Sequence, residues 1–203
     1  MVLVASASPG AATAVVAASY LIGTFPTALL VGRRRGVDPT RSGSGNPGAT
    51  NMVRTAGRWA GVVTLVGDLA KGVLAAGIGW AAGGQGLAAA CGLAAVVGHV
   101  LPVTRGWRGG KGVATGAGMA LVVAPAALGV AAVAFAAAVG VSRTVSLGSV
   151  VAAAVLPVAA AALGSPGEVV AALAVCAVLI VARHWDNLRR IAHGDERRLG
   201  SPG

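Results

Sequence analysis

The sequence predicts an all-α membrane protein, a polytopic bundle of seven transmembrane helices with two of them short. Three observations carry that reading. The chain is 56% hydrophobic and only 11% charged, with a mean hydropathy of +0.79, far from the balance of a soluble domain. Its apolar residues fall in runs at 11–32, 59–82, 87–103, 112–140, 145–163 and 167–182, each near the roughly 20 residues that a spanning helix needs. Every one of the 16 basic residues except Lys71 lies in four short stretches between those runs.

The first run lacks a basic segment before it, so it reads as a retained helix and not as a cleaved signal. The second and third are parted by Gly83-Gly84-Gln85. The fourth is the difficult one. As a single helix it would be about 44 Å long, against a hydrocarbon core of about 30 Å. Ala124-Pro125 sits near its middle, where proline breaks a helix. One span there would strand Arg143 and the arginines of the tail outside, against the positive-inside rule. Two short helices, 112–123 and 125–141, bring all basic stretches to one side.

That parity places the N-terminus outside and the C-terminus in the cytoplasm. A short helix pair needs protein around its ends, because lipid cannot satisfy free backbone groups. The external connections are then brief, and residues 1–203 read as a single integral-membrane domain. Trp59, Trp80, Trp107 and Trp185 fall at run ends, where indole rings anchor at the interface. Cys91 and Cys176 lie inside apolar runs as small core residues.

A net charge of +10 could suit nucleic acid, but no soluble domain remains to carry such a surface. Cytoplasmic retention and an anionic small-molecule substrate fit it better. No metal-ligand spacing and no nucleotide motif is present, so no cofactor is expected. A multi-pass membrane protein follows, with its chemistry facing the cytoplasm.

Three segments could carry chemistry. Arg41 to Asn51, followed by Arg54, is dense in Gly, Ser, Asn and Thr, which turn the backbone and offer short donors. Gly106 to Thr115 contains Gly109-Gly110-Lys111-Gly112 at the start of an apolar run. Oriented N–H groups, a helix dipole and an ammonium make such a junction a phosphate cradle. It is no Walker A loop, because glycine follows Lys111 where Ser or Thr is needed. Arg183 to Glu196 places His184 and Asn187 three apart, on one face of a helix. Asp68 and Lys71 lie within the second run with the same spacing, which suggests a structural ion pair, since charges at that depth must pair or line a wet cavity.

Together these segments resemble the integral-membrane glycerol-3-phosphate acyltransferases that use acyl phosphate, the PlsY-type family. Ser44-Gly45-Asn46-Pro47-Gly48-Ala49-Thr50-Asn51 with Arg54 is similar to that family's first motif. Gly109 to Thr115, with Gly98-His99 and Pro102-Val103 upstream, is similar to the second; Arg183-His184, Asn187 and Gly194 to Glu196 are similar to the third. Asp68 to Gly72 and Val145 to Ser149 resemble two lesser signatures. Thr104 and Arg105 depart from the pattern, which usually has aromatics there.

The resemblance implies acyl transfer from acyl phosphate to glycerol 3-phosphate, giving lysophosphatidic acid and phosphate. It implies catalytic roles for Ser44, Arg54, Lys111, His184 and Asn187. It implies substrate contacts from Asn46, Gly48, Asn51, Gly109, Gly110, Gly112, Thr115, Ser149 and Glu196, with Glu196 more a brace for the tail than a reacting group. Expected partners are the two small substrates and membrane lipid. The general base stays open between His184 and a substrate phosphate oxygen, because no histidine has an aspartate five residues on, as the H-x4-D acyltransferases do. The rival reading is a transporter for an organic phosphate, which broken helices and midplane charges would also suit.

Overall fold

A computed structural model describes residues 8–200, and these form helices and loops without a strand. The helices are α1 (Pro9–Gly23), α2 (Thr27–Arg33), α3 (Ala49–Ala56), α4 (Arg58–Val100), α5 (Val113–Val123), α6 (Pro125–Ser142), α7 (Val145–Ala162), α8 (Gly167–Arg183) and α9 (Trp185–His193). The chain divides into two compact units at Val123/Ala124.

In the first unit the apolar run 11–32 is broken, a departure from the single helix expected there. Pro26 has no N–H and restricts Phe25, so α1 stops at Gly23 and α2 begins at Thr27. The break frees carbonyls inside an apolar region. Lys71 takes them: its Nζ donates to Gly23 O at 3.4 Å and Phe25 O at 3.0 Å. The same ammonium pairs with Asp68 Oδ1 at 2.8 Å, and both side chains are buried.

Helix α4 has 43 residues but is not straight. Gly83 (φ −169°, ψ 24°) and Gly84 (φ 77°, ψ −163°) leave helical geometry, and the positive φ of Gly84 suits a residue without Cβ. The arms fold back on each other: a Cβ on Gly79 would lie 2.6 Å from Leu87 O and 2.8 Å from Ala88 Cα. The two sequence runs are therefore the two arms of one hairpin. At its tip Gln85 Nε2 donates to Val123 O at 2.8 Å, closing the end of α5.

Close packing rests on small residues. Gly72 lies against the Thr115 carbonyl, Gly118 against Leu69, Gly23 against Ala95 and Gly98 against Tyr20, each with no room for a Cβ. Ala75, Ala76, Ala95, Val96 and Met119 fill the interior, while Val62, Val66, Leu74 and Ile78 point outward. Large aliphatics outside and Gly/Ala inside is the packing of helices in lipid, where close backbone approach replaces the hydrophobic effect. Amphipathic α3 is pinned by Met52, fully buried with Ala28 and Ala60.

In the second unit Arg143 at φ 56° turns α6 into α7, and Gly148 packs on Val139 and Phe135. Helix α8 bends by 54° into α9. Among the described residues four segments are long and apolar enough to cross a bilayer: Pro9–Arg33, Arg58–Arg105, Pro125–Ser142 and Val145–Ala162. The bent pair α8–α9 makes a fifth, and α5 is shorter. All four tryptophans are exposed.

The ion pair invites a direct test. Asp68→Asn leaves the Lys71 ammonium buried without its carboxylate and should cost about 3–5 kcal/mol. Asp68→Asn with Lys71→Met removes both charges and should recover much of that loss. Thermal unfolding of the purified single and double variants in detergent reads the difference; equal losses in both would show that the pair is not the anchor.

Candidate active site

In the first unit, the segment after α2 is a tight loop organised by one amide. Asn51, at the start of α3 and 1% exposed, accepts from Ser44 N at 2.9 Å. Its Nδ2 donates to Pro39 O and Ser42 O, both at 3.0 Å. Gly43 (φ 63°) and Gly45 (φ 70°) make the turns, and a Cβ on Gly43 would overlap Asn51 Oδ1. The arrangement leaves Ser44 exposed and Asn46 and Gly48 half-buried, with Arg54 exposed on α3. Asn51 itself braces the loop from beneath.

The second loop rests on a histidine. Gly110 N–H donates to His99 O at 3.1 Å, Gly109 abuts the His99 and Val100 carbonyls, and Gly110 lies flat on the imidazole at Nε2. Only glycine fits at either place. Lys111 follows, half-buried, and Gly112 at φ 86° turns the chain into α5. Thr115 is fully buried one turn in, with an Oγ1 that makes no hydrogen bond among the described residues. That burial sets it within the α4–α5 packing.

His99 joins this loop to the buried ion pair. Lys71 Nζ lies 3.1 Å from His99 Nδ1. An ammonium only donates, so Nδ1 accepts and the neutral ring carries its proton on Nε2. The chain Asp68–Lys71–His99–Gly110 thus runs from the α1 break to the glycine loop. The sequence shows the Asp68–Lys71 spacing, but His99 lies 28 residues beyond Lys71 and no local pattern marks the link. Tyr20 was also missed: its Oη donates to Leu101 O at 2.8 Å and accepts from Val103 N at 3.0 Å, holding the segment that leads into the loop.

In the second unit, His184 sits at the joint of α8 and α9 and is 2% exposed. Its Nδ1 donates to Ile180 O at 2.8 Å, because a carbonyl only accepts. The neutral ring then keeps its lone pair on Nε2. Asn187, one turn on, donates through Nδ2 to Glu196 Oε1 at 2.6 Å. Ser146 Oγ donates to the same oxygen at 2.8 Å, and Arg190 Nε to Oε2 at 2.7 Å. Glu196 is therefore a clamp that ties the tail to α7 and α9. Ser149 is buried and donates to Val145 O at 3.0 Å within its own helix. Leu199 N–H donates to Arg143 O at 2.7 Å, extending the clamp to the α6–α7 turn.

Among the described residues no three His, Cys, Asp or Glu side chains gather as metal ligands do. What the two units offer is a glycine-backed lysine loop, a serine-bearing loop with an arginine, and a tautomer-fixed histidine beside an oriented amide.

The Glu196 clamp has a pH signature. Burial pushes its carboxyl up, but hydrogen bonds from Asn187, Ser146 and Arg190, with the Arg190 charge, outweigh burial and hold it below its ordinary 4.5. A depressed folded value means the clamp contributes fully above pH 4.5 and is lost as pH falls through that folded value. Hydrogen exchange should find the amides of Asp195 and Leu199 protected at neutral pH and released as the pH is taken below 4.5. Glu196→Gln should release them at neutral pH, at a cost of about 1–3 kcal/mol.

Comparison with known proteins agrees with this geometry. Residues 13–194 match the family described as glycerol-3-phosphate acyltransferase. A glycerol-3-phosphate acyltransferase of Geobacter sulfurreducens is 42% identical over 187 residues, 90% of this chain and 95% of that protein. One from Rubrobacter xylanophilus is 42% identical, covering 89% and 92%. Two solved structures of PlsY (YgiH), an integral membrane glycerol 3-phosphate acyltransferase, are 34% identical and cover 93% of this chain. The glycerol 3-phosphate form superposes with a TM-score of 0.90 over 96% of its chain, and the lysophosphatidic acid form with 0.88 over 95%. A match that runs nearly end to end and takes in all three polar segments settles the family: the chain belongs to the glycerol-3-phosphate acyltransferases.

Proposed function

We propose that the chain transfers a fatty acyl group from acyl phosphate to the sn-1 hydroxyl of glycerol 3-phosphate, the first acylation of phospholipid synthesis. The observation that carries this reading is the full-length family match, with Gly109-Gly110-Lys111-Gly112 shaped as an anion loop. The hydroxyl oxygen bonds to the acyl carbon, the acyl–phosphate bond breaks, and the released phosphate departs with the electron pair. Its leaving group is already good, so positioning and charge neutralisation supply most of the rate.

Lys111 and the backbone of residues 109–112, apart from the Gly110 N–H that donates to His99 O, take a phosphate, with Ser44 and Arg54 as further anion contacts. Asn46 and Gly48 shape the first loop and Asn51 positions it. His184 and Asn187 hold glycerol 3-phosphate, and Ser149 is an additional donor. The proton of the attacking hydroxyl goes to a substrate phosphate oxygen, while His184 accepts a hydrogen bond at Nε2. No cofactor enters. The chain would cross a bacterial inner membrane seven times as one catalytic domain, N-terminus outside, with its chemistry facing the cytoplasm. The helix breaks at Gly83-Gly84 and Ala124-Pro125 and the clustered arginines support that topology.

Phosphate release from purified protein given palmitoyl phosphate should depend on glycerol 3-phosphate, with lysophosphatidic acid formed in step. Uptake of organic phosphate into sealed vesicles without such release would favour transport instead. Lys111→Ala should lower kcat/KM by about 10²–10³. His184→Gln should act mainly on KM for glycerol 3-phosphate. A fall of about 10²–10⁴ in kcat with unchanged substrate binding would make His184 the base.

A further inference from the structure

Between α1, α2 and the first arm of α4, the first unit opens a groove of about 1070 Å³. Leu21, Phe25 and Leu74 line it and are more than half exposed, at 57%, 54% and 54%. Its lining also holds Arg33, Lys71 and Arg105, and no acidic residue. Lys71 is already engaged by Asp68, which leaves the two arginines as the charges facing the groove. The Nε of Arg105 is buried and makes no hydrogen bond among the described residues, a costly state for a donor.

The two kinds of lining residue are separated along the membrane direction. Arg33 and Arg105 are the terminal residues of the apolar segments Pro9–Arg33 and Arg58–Arg105, whereas Leu21 and Leu74 lie within them. Arginines at span ends sit at the depth of headgroup phosphates, and basic pockets between membrane helices take anionic headgroups. A guanidinium pairs with phosphate through parallel N–H bonds, and the leucines below offer an apolar wall for a chain. We propose that this groove is a binding site for a membrane phospholipid with an anionic headgroup, its phosphate on Arg33 and Arg105 and an acyl chain along Leu21, Phe25 and Leu74. The inference rests on the groove and is independent of the acyl-transfer reading.

The test is lipid retention. Purified protein is exposed to mixed phosphatidylglycerol and phosphatidylcholine bilayers, extracted in mild detergent and weighed by native mass spectrometry. Phosphatidylglycerol should be retained over phosphatidylcholine. Arg33→Gln and Arg105→Gln should each lower its retention about fivefold, the worth of one basic residue near an anionic surface. Leu74→Trp, which fills the groove and leaves both arginines, should displace the lipid as well, and it decides the matter where Arg105→Gln fails to fold. Equal retention of the two lipids, or unchanged retention in Arg33→Gln and Leu74→Trp, would overturn the proposal. So would displacement by a non-hydrolysable acyl phosphonate, which would give the groove to the acyl donor.

Discussion

A single buried ammonium governs the first unit. Lys71 sits within an apolar segment, where an unpaired charge is expensive, and its acceptors come from its own helix arm, from the end of α1 and from the second arm of α4. Asp68 supplies the counter-charge, the interrupted end of α1 supplies two carbonyls, and His99 supplies a ring nitrogen. Removing the lysine would orphan all of them together. The proline that breaks α1 and the lysine on α4 are therefore coupled, since the ammonium satisfies carbonyls that the break exposes. Because His99 carries the second loop on its ring and carbonyl, the geometry of that loop descends from the same charge.

The second unit uses the opposite sign in the same way. Glu196 gathers an amide, a hydroxyl and a guanidinium from α9 and α7. Asn187 is thereby fixed in orientation through its Nδ2. His184 gains its tautomer from a backbone carbonyl one turn earlier. In both units one ionised side chain gathers polar groups from separate pieces of chain and holds them in place. Such burial favours specificity of arrangement over raw stability.

Much of this was legible in the sequence, and the limits have physical reasons. Long apolar runs, Gly83-Gly84 and Ala124-Pro125 announce helices and their breaks because backbone rules are local. The interruption at Pro26 was hidden because hydropathy stays high across it, and only a distant lysine makes the break affordable. Asn51 and Thr115 read as substrate contacts by resemblance. Geometry shows the first beneath its loop and the second inside helix packing, a distinction of side-chain direction that a motif does not encode. His99 and Tyr20 act through contacts across most of the first unit, beyond any periodic signal. Ser149 bonds its own helix, as serine in an apolar helix commonly does.

The strap from Glu196 to Leu199 has a practical bearing. It closes on Asn187 and on the α6–α7 turn through the final stretch of described residues. Shortening the chain before residue 196 would leave every described helix intact and still release Asn187 from its clamp. A purification handle belongs beyond residue 200, on a spacer that leaves the strap seated.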